Sequence, residues 1–199
     1  MKPQTFLGHI ITCLTSHGTD YVLTGSVAVA WYGRPRILKD FDIVLRAPIP
    51  ATTLETTFPA PHFSVLSDEC TLLTLSNRIS IVECTFGWRA ELFFAPLLSP
   101  ADRQFSLMSQ YMFESPFGCR RRCWLAGREA WVSSPEYILL IKLMLCTYSE
   151  DRRPKDWLDA VYIYLLQSAQ LDFSYMNHWA AQLHVQPLWQ RLQEEARLS

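Results

Sequence analysis

Thr24-Gly25-Ser26, followed at a short remove by Lys39-Asp40-Phe41-Asp42-Ile43-Val44-Leu45, is the stretch on which the fold turns. Tyr21-Val22-Leu23 before it reads as a short strand that Gly25-Ser26 ends. Val27–Trp31 reads as a buried helix stopped by Gly33 and Pro35, and Phe41–Leu45 as the next strand. In a strand, residues i and i+2 point to one face, so Asp40 and Asp42 project together. Two carboxylates side by side repel, and nothing in folding rewards that arrangement. A divalent cation does, because hard oxygen ligands suit Mg²⁺. Gly25-Ser26 ahead of a helix offers bare backbone N–H groups and a hydroxyl, which suits a phosphate. The plainer alternatives are a solvated strand end for the aspartates and a simple strand-to-helix turn for Gly25-Ser26.

Outward from this block, Phe6, Ile10, Ile11 and Leu14 have helical spacing, which predicts a helix over about 4–16. Thr52–Phe58 predicts a short helix, and Phe63–Leu66, Thr71–Leu75 and Arg78–Phe86 predict strands. Arg89–Phe117 gives no clear period beyond a helix near Asp102–Met112. Cys119–Leu125 and Glu129–Ser133 flank Ala126-Gly127 as a hairpin. Ser133-Ser134-Pro135-Glu136 is a strong helix start, with Ser133 as cap and Glu136 placed for a capping box, and that helix should reach Tyr148. Further helices are expected over Lys155–Ser168, about 174–184 and about 188–197. The reading is α/β (α+β): a mixed sheet with flanking helices over 1–133, then a helical C-terminal part over 134–199 packed on that core.

The 199 residues are 49% apolar, enough for a sizeable core, and the formal net charge is −1, which argues against nucleic-acid binding by bulk charge. The six cysteines are scattered without a CxxC pair, so free thiols in a reducing cytoplasm are expected rather than a zinc site. The first residues lack a long apolar run, so no signal peptide is expected, and no stretch is long enough for a membrane span. Arg120-Arg121-Arg122 with Trp124 mixes basic and aromatic residues. Arg120 and Arg122 share one strand face, which either holds RNA through phosphates and stacking or is simply solvated.

Gly25-Ser26, then Asp40-Phe41-Asp42, then a later acid, resembles the nucleotidyltransferase superfamily with the DNA polymerase β-type fold. The best later acid is Glu83 in Ile79-Ser80-Ile81-Val82-Glu83-Cys84, where the family usually has Asp. Ser134-Pro135-Glu136-Tyr137 through Lys142-Leu143, Arg152-Arg153-Pro154-Lys155-Asp156-Trp157-Leu158-Asp159 and the Tyr32-Gly33-Arg34-Pro35-Arg36 turn resemble the AbiEii-type toxin branch. Leu38 stands where that branch often has Thr or Ser.

The resemblance implies that Asp40, Asp42 and Glu83 are catalytic and hold Mg²⁺ or Mn²⁺. Gly25, Ser26, Arg36, Lys142 and Asp156 would then hold a nucleoside triphosphate. Lys142 has an independent argument. Its helix is apolar almost all round and should be buried, so its ammonium needs a carboxylate or a phosphate as partner. Asp156 either closes a network with Lys142 or caps the next helix start. The implied activity is nucleotide transfer from an NTP to a hydroxyl of RNA (a tRNA end among them) or protein, as a toxin with a cognate antitoxin protein. Two alternatives stand beside it. One is a degenerate binding or antitoxin-like module, and the other an aminoglycoside-type enzyme acting on a small molecule.

Overall fold

The computed structural model describes residues 1–68, 77–95, 107, 110–148 and 154–197. The chain divides into two compact units, one of Met1–Val27 with Ile37–Ser133, the other of Ala28–Arg36 with Ser134–Ser199.

The first unit is built on a mixed sheet. Its strands are β1 (Tyr21–Leu23), β2 (Asp40–Leu45), β3 (Phe63–Asp68), β4 (Asn77–Glu83), β5 (Arg89–Phe94), β6 (Arg121–Leu125) and β7 (Arg128–Val132), in the order β3-β4-β5-β2-β1-β7-β6. β2 runs parallel to β5 and β1 parallel to β7, while the remaining neighbours are antiparallel. Helices α1 (Pro3–Ser16), α3 (Ala51–Thr57) and α4 (Ser115–Cys119) belong to this unit, and α2 (Gly25–Tyr32) begins in it.

Directly opposed residues share a face, so the register sorts the sheet into two sides. The row Phe41–Ala90–Ile81 and the row Ile43–Leu92–Ile79 are almost wholly buried. α1 and the end of α3 cover this side: the Phe6 ring lies 6.0 Å from Phe41 and 6.1 Å from Phe63, and Phe58 meets Phe63 edge-on. The other side carries Asp40, Asp42, Val44, Arg89 and Glu91, and further along it Val22 and Trp131. There Phe113 and Phe117 pack on Val22 and Val44. The β6–β7 turn puts both Ala126 (φ 51°) and Gly127 (φ 76°) in the left-handed region, the geometry that matches strand twist in a two-residue hairpin.

β5 is the strand that the sequence pattern did not show, and β4 ends at Glu83, short of the predicted Phe86. The expected strand Thr71–Leu75 lies outside the described residues, as does most of the expected helix Asp102–Met112.

The second unit is helical: α5 (Pro135–Tyr148), α6 (Pro154–Gln167), a 3₁₀ turn (Ser168–Gln170), α7 (Phe173–Gln182) and α8 (Gln186–Arg197), joined by the rear half of α2. Trp189 anchors it, fully buried, with its indole N–H donating to Asn177 Oδ1 at 2.8 Å and Tyr164 edge-on at 5.6 Å. Gln167 donates to the Tyr32 carbonyl at 2.9 Å, satisfying an orphan group at the end of α2. The cap of α5 is Ser134, whose Oγ accepts the Tyr137 N–H at 3.2 Å. Ser133, the predicted cap, is the last residue of the first unit and directs its hydroxyl to Thr24 of that same unit, while Glu136 accepts the Asp172 N–H at 3.1 Å. No described helix is long and apolar enough to cross a membrane.

Candidate active site

β1 is short, and Gly25 turns the chain from it into α2 with φ at 50°. That conformation suits glycine, but space decides the residue. A Cβ at position 25 would sit 1.9 Å from Oδ2 of Asp42. The absent side chain is therefore filled by a carboxylate. The Ser26 N–H donates to the same Asp42 oxygen at 3.2 Å, and the Ser26 hydroxyl donates to the Asp40 carbonyl at 2.6 Å. Thr24 N–H adds a bond to the Asp42 carbonyl at 2.9 Å. The start of α2 is thus stitched to the start of β2, which holds Asp40 exposed and Asp42 half-buried on one face.

Gly25, Ser26, Asp40 and Asp42 are brought together as the sequence pattern implies. Glu83 is not. It follows Val82, which shares a row with Arg89 and Asp40, so its side chain falls on the opposite face, in register with Phe63. There its carboxylate accepts the Phe86 N–H at 2.8 Å and closes the β4–β5 turn. Burial pushes this carboxyl up, but the Phe86 N–H and the Thr85 hydroxyl and N–H outweigh it, so its pKa lies below the ordinary value.

An acid that does share the face of Asp40 and Asp42 is Glu91. It stands directly beside Asp42 in the parallel β2–β5 register, at the strand spacing of roughly 4.8 Å. Arg78 Nη1 reaches its carboxylate at 3.1 Å and Arg89 Nη1 at 3.4 Å. Arg89-Ala90-Glu91-Leu92 alternates charged and apolar residues, which is the signal that marks such a strand.

The implied cation can be tested against these residues. Mg²⁺ usually takes one or two protein carboxylates and fills its shell with water and substrate phosphates. Asp40 and Asp42 supply that pair. Among the described residues no three His, Cys, Asp or Glu side chains are gathered as a metal site, so Glu91 would have to leave its arginines to join them.

The expected phosphate-binding residues of the helical unit form a network of their own. Lys142 Nζ lies 2.6 Å from Asp156 Oδ1 and 3.0 Å from Asp159 Oδ2, and Arg36 reaches Asp159 at 3.1 and 3.3 Å. Lys142, Asp156 and Asp159 are all buried. The buried ammonium thus has the partner its apolar helix demanded, and that partner is carboxylate. Arg34 lies over the Tyr162 ring at 5.5 Å.

No protein-family profile matches the chain, and no curated protein sequence does. Solved structures do. The crystal structure of ANT(2")-Ia in complex with adenylyl-2"-tobramycin aligns with a TM-score of 0.57 at 14% identity, over 90% of this chain and 95% of that one. An antigenic nucleotidyltransferase-like protein from Paracoccidioides brasiliensis aligns with a TM-score of 0.55 at 16% identity, over 97% and 92%. The chain has a nucleotidyltransferase fold. The solution structure of the antibiotic-resistance factor ANT(2")-Ia agrees, with a TM-score of 0.54 at 16% identity over 98% of this chain and 97% of that one. At such identities the likeness concerns the backbone.

Proposed function

We propose that this nucleotidyltransferase fold is an active, Mg²⁺-dependent enzyme that transfers a nucleotide from an NTP to an acceptor hydroxyl. The observation that carries the reading is the seat of Asp42: a glycine without room for any side chain, and a helix-start N–H aimed at the carboxylate. That arrangement fixes two like-charged groups on one face at the open end of a strand.

In this reading Asp40 and Asp42 hold the cation, with Glu91 in the place that the sequence pattern gave to Glu83. Bound Mg²⁺ supplies charge neutralisation of the phosphates and acidifies the acceptor hydroxyl. The acceptor hydroxyl gives its proton to solvent, its oxygen forms a bond to the α-phosphorus, the bond from that phosphorus to the bridging oxygen breaks, and pyrophosphate leaves. The residues of this chain orient that displacement: Ser26 and Gly25 keep Asp42 still, and the exposed position of Asp40 leaves it open to the substrate. RNA, protein and small-molecule hydroxyls are the acceptor classes, and a toxin role with an antitoxin partner rests on the motif resemblance of the helical part.

Incubation with each labelled NTP, Mg²⁺ and total RNA, protein or an aminoglycoside should release pyrophosphate with the intact chain. Asp40→Asn and Asp42→Asn should each lower the rate by at least about 10²-fold, the scale for losing a group that stabilises transition-state charge. Equal rates for the variants would defeat the assignment.

A second reading is favoured by one specific observation, the pairing of Glu91 with Arg78 and Arg89. If those ion pairs persist with nucleotide bound, the fold binds NTP without turning it over. Stabilisation by NTP and Mg²⁺ with no pyrophosphate released would decide for this module.

A further inference from the structure

The β6–β7 hairpin is chemically unlike the rest of the chain. Arg120, Arg121, Arg122 and Arg128 are four of the eighteen cationic residues, against the single acid Glu129, in a protein of net charge −1, and register turns Arg121 and Arg128 to the other face from Arg122. Register places Arg122 opposite Trp131 and Trp124 opposite Glu129, so these four side chains share one face. It is the face that carries Asp40 and Asp42, because Val132 pairs with Leu23 and Leu23 with Ile43 on the buried side.

On it, the guanidinium of Arg120 sits 4.4 Å from the Trp131 ring centre and that of Arg122 5.1 Å. Arg46 approaches from the end of β2, over Phe117 at 4.2 Å. Asp20 pairs with both Arg46 and Arg120. A cavity of about 570 Å³ opens here, lined by Thr15, Thr19, Asp20, Arg120, Arg122 and Trp131. Beside it Trp124 is 69% exposed, a large apolar ring that folding has left in water.

We propose that this face docks single-stranded nucleic acid. Guanidinium forks match phosphate oxygens and are held in place here by the aromatic rings on which they lie. The Arg122–Glu129 pair, 69% and 59% exposed, is of the kind that exchanges a carboxylate for a phosphate at little cost. Trp124 offers a flat surface to an unstacked base, which a duplex keeps hidden. The docking does not require catalysis. Its use as an acceptor track towards Asp40 and Asp42 rests on the transfer reading above, and binding to it does not.

The test is fluorescence anisotropy of the full chain with labelled oligouridylate and oligothymidylate of about 12 nucleotides, and with an RNA duplex of the same length, across a salt series. Both single strands should bind, with affinity falling as salt rises. Tighter binding of the uridylate identifies RNA as the ligand, and equal binding a ligand read by backbone and base alone. Trp124→Ala should weaken binding about tenfold with the salt slope kept, and Trp124→Phe should restore most of it. Arg122→Ala should reduce the slope by about 0.7, one phosphate contact on a single strand. Asp40→Asn/Asp42→Asn should bind at least as tightly as the parent, which separates this proposal from the catalytic one. No binding at low salt, duplex binding as tight as single-strand binding, or parent-like affinity in Trp124→Ala/Arg122→Ala would overturn it.

Discussion

Asp42 depends on what is missing at position 25. Gly25→Ala introduces both a left-handed alanine and a methyl group inside bonding distance of the carboxylate. A non-glycine residue in that region costs about 1–3 kcal/mol, and a chain of this size loses about 2–4 °C of melting temperature per kcal/mol. The variant should therefore melt several degrees lower, by calorimetry, and lose transfer activity even where it remains folded. Glu83 and Glu91 separate by a different experiment. Glu91→Gln should cut activity, and Glu83→Gln should spare it while lowering stability. The pH dependence follows from the sign of the Glu83 shift. Its folded pKa lies below the ordinary carboxylate value, so its stabilisation is complete above the unfolded pKa of about 4.3 and is lost as pH falls through the folded value. The melting difference between Glu83→Gln and the parent should thus be full at neutral pH and vanish in acid. In the sequence Glu83 ends a clean strand pattern. One residue of register puts it on the face opposite Asp40 and Asp42, and a single sequence does not print register.

At the scale of elements, the long helices were legible, while the short α4 and the strand β5 were not. α5 and α6 announce themselves by Ser134-Pro135 and Pro154 at their starts and by dense apolar runs behind. β5 hid because Glu91 is a charge at a buried position, tolerable only beside Arg78 of the neighbouring strand and Arg89 of its own. Sequence shows the carboxylate and not its partners. The Lys142 network is the converse case. The burial of a lysine on an all-apolar helix was readable, and so was its need for an anion, while the choice of Asp156 with Asp159 came from the packing of α6 on α5. Removing one member of a buried pair costs about 3–5 kcal/mol, because the partner stays charged and dry. Lys142→Met should accordingly destabilise by that order in urea titration. Lys142→Met with Asp156→Leu and Asp159→Leu should recover much of the loss, provided Arg36 is changed as well.

For the whole molecule the spacing of Gly25-Ser26 and Asp40-Phe41-Asp42 was enough to name the fold, since few topologies place a helix start and two same-face acids together. The seven-strand order was beyond reach, because β2 pairs with β5 across two intervening strands. Ligand binding gives the molecular-scale check. A ligand at a hundredfold excess over its dissociation constant stabilises by about 2.7 kcal/mol, or roughly 5–10 °C for a chain of this length. The NTP with Mg²⁺ should produce such a rise in the parent chain and a much smaller one in Asp42→Asn.

The discontinuity of the helical unit has a consequence for synthesis. Its segment Ala28–Arg36 leaves the ribosome long before α6, and Arg36 precedes its partner Asp159 by 123 residues. At elongation rates of about 5–20 residues per second, that interval is roughly 6–25 s. Throughout it neither the Arg36–Asp159 pair nor the hydrogen bond from Gln167 to the Tyr32 carbonyl can form. The segment Ala28–Arg36 therefore waits through 123 residues of synthesis for its α6 partner, a natural interval for a chaperone to engage it.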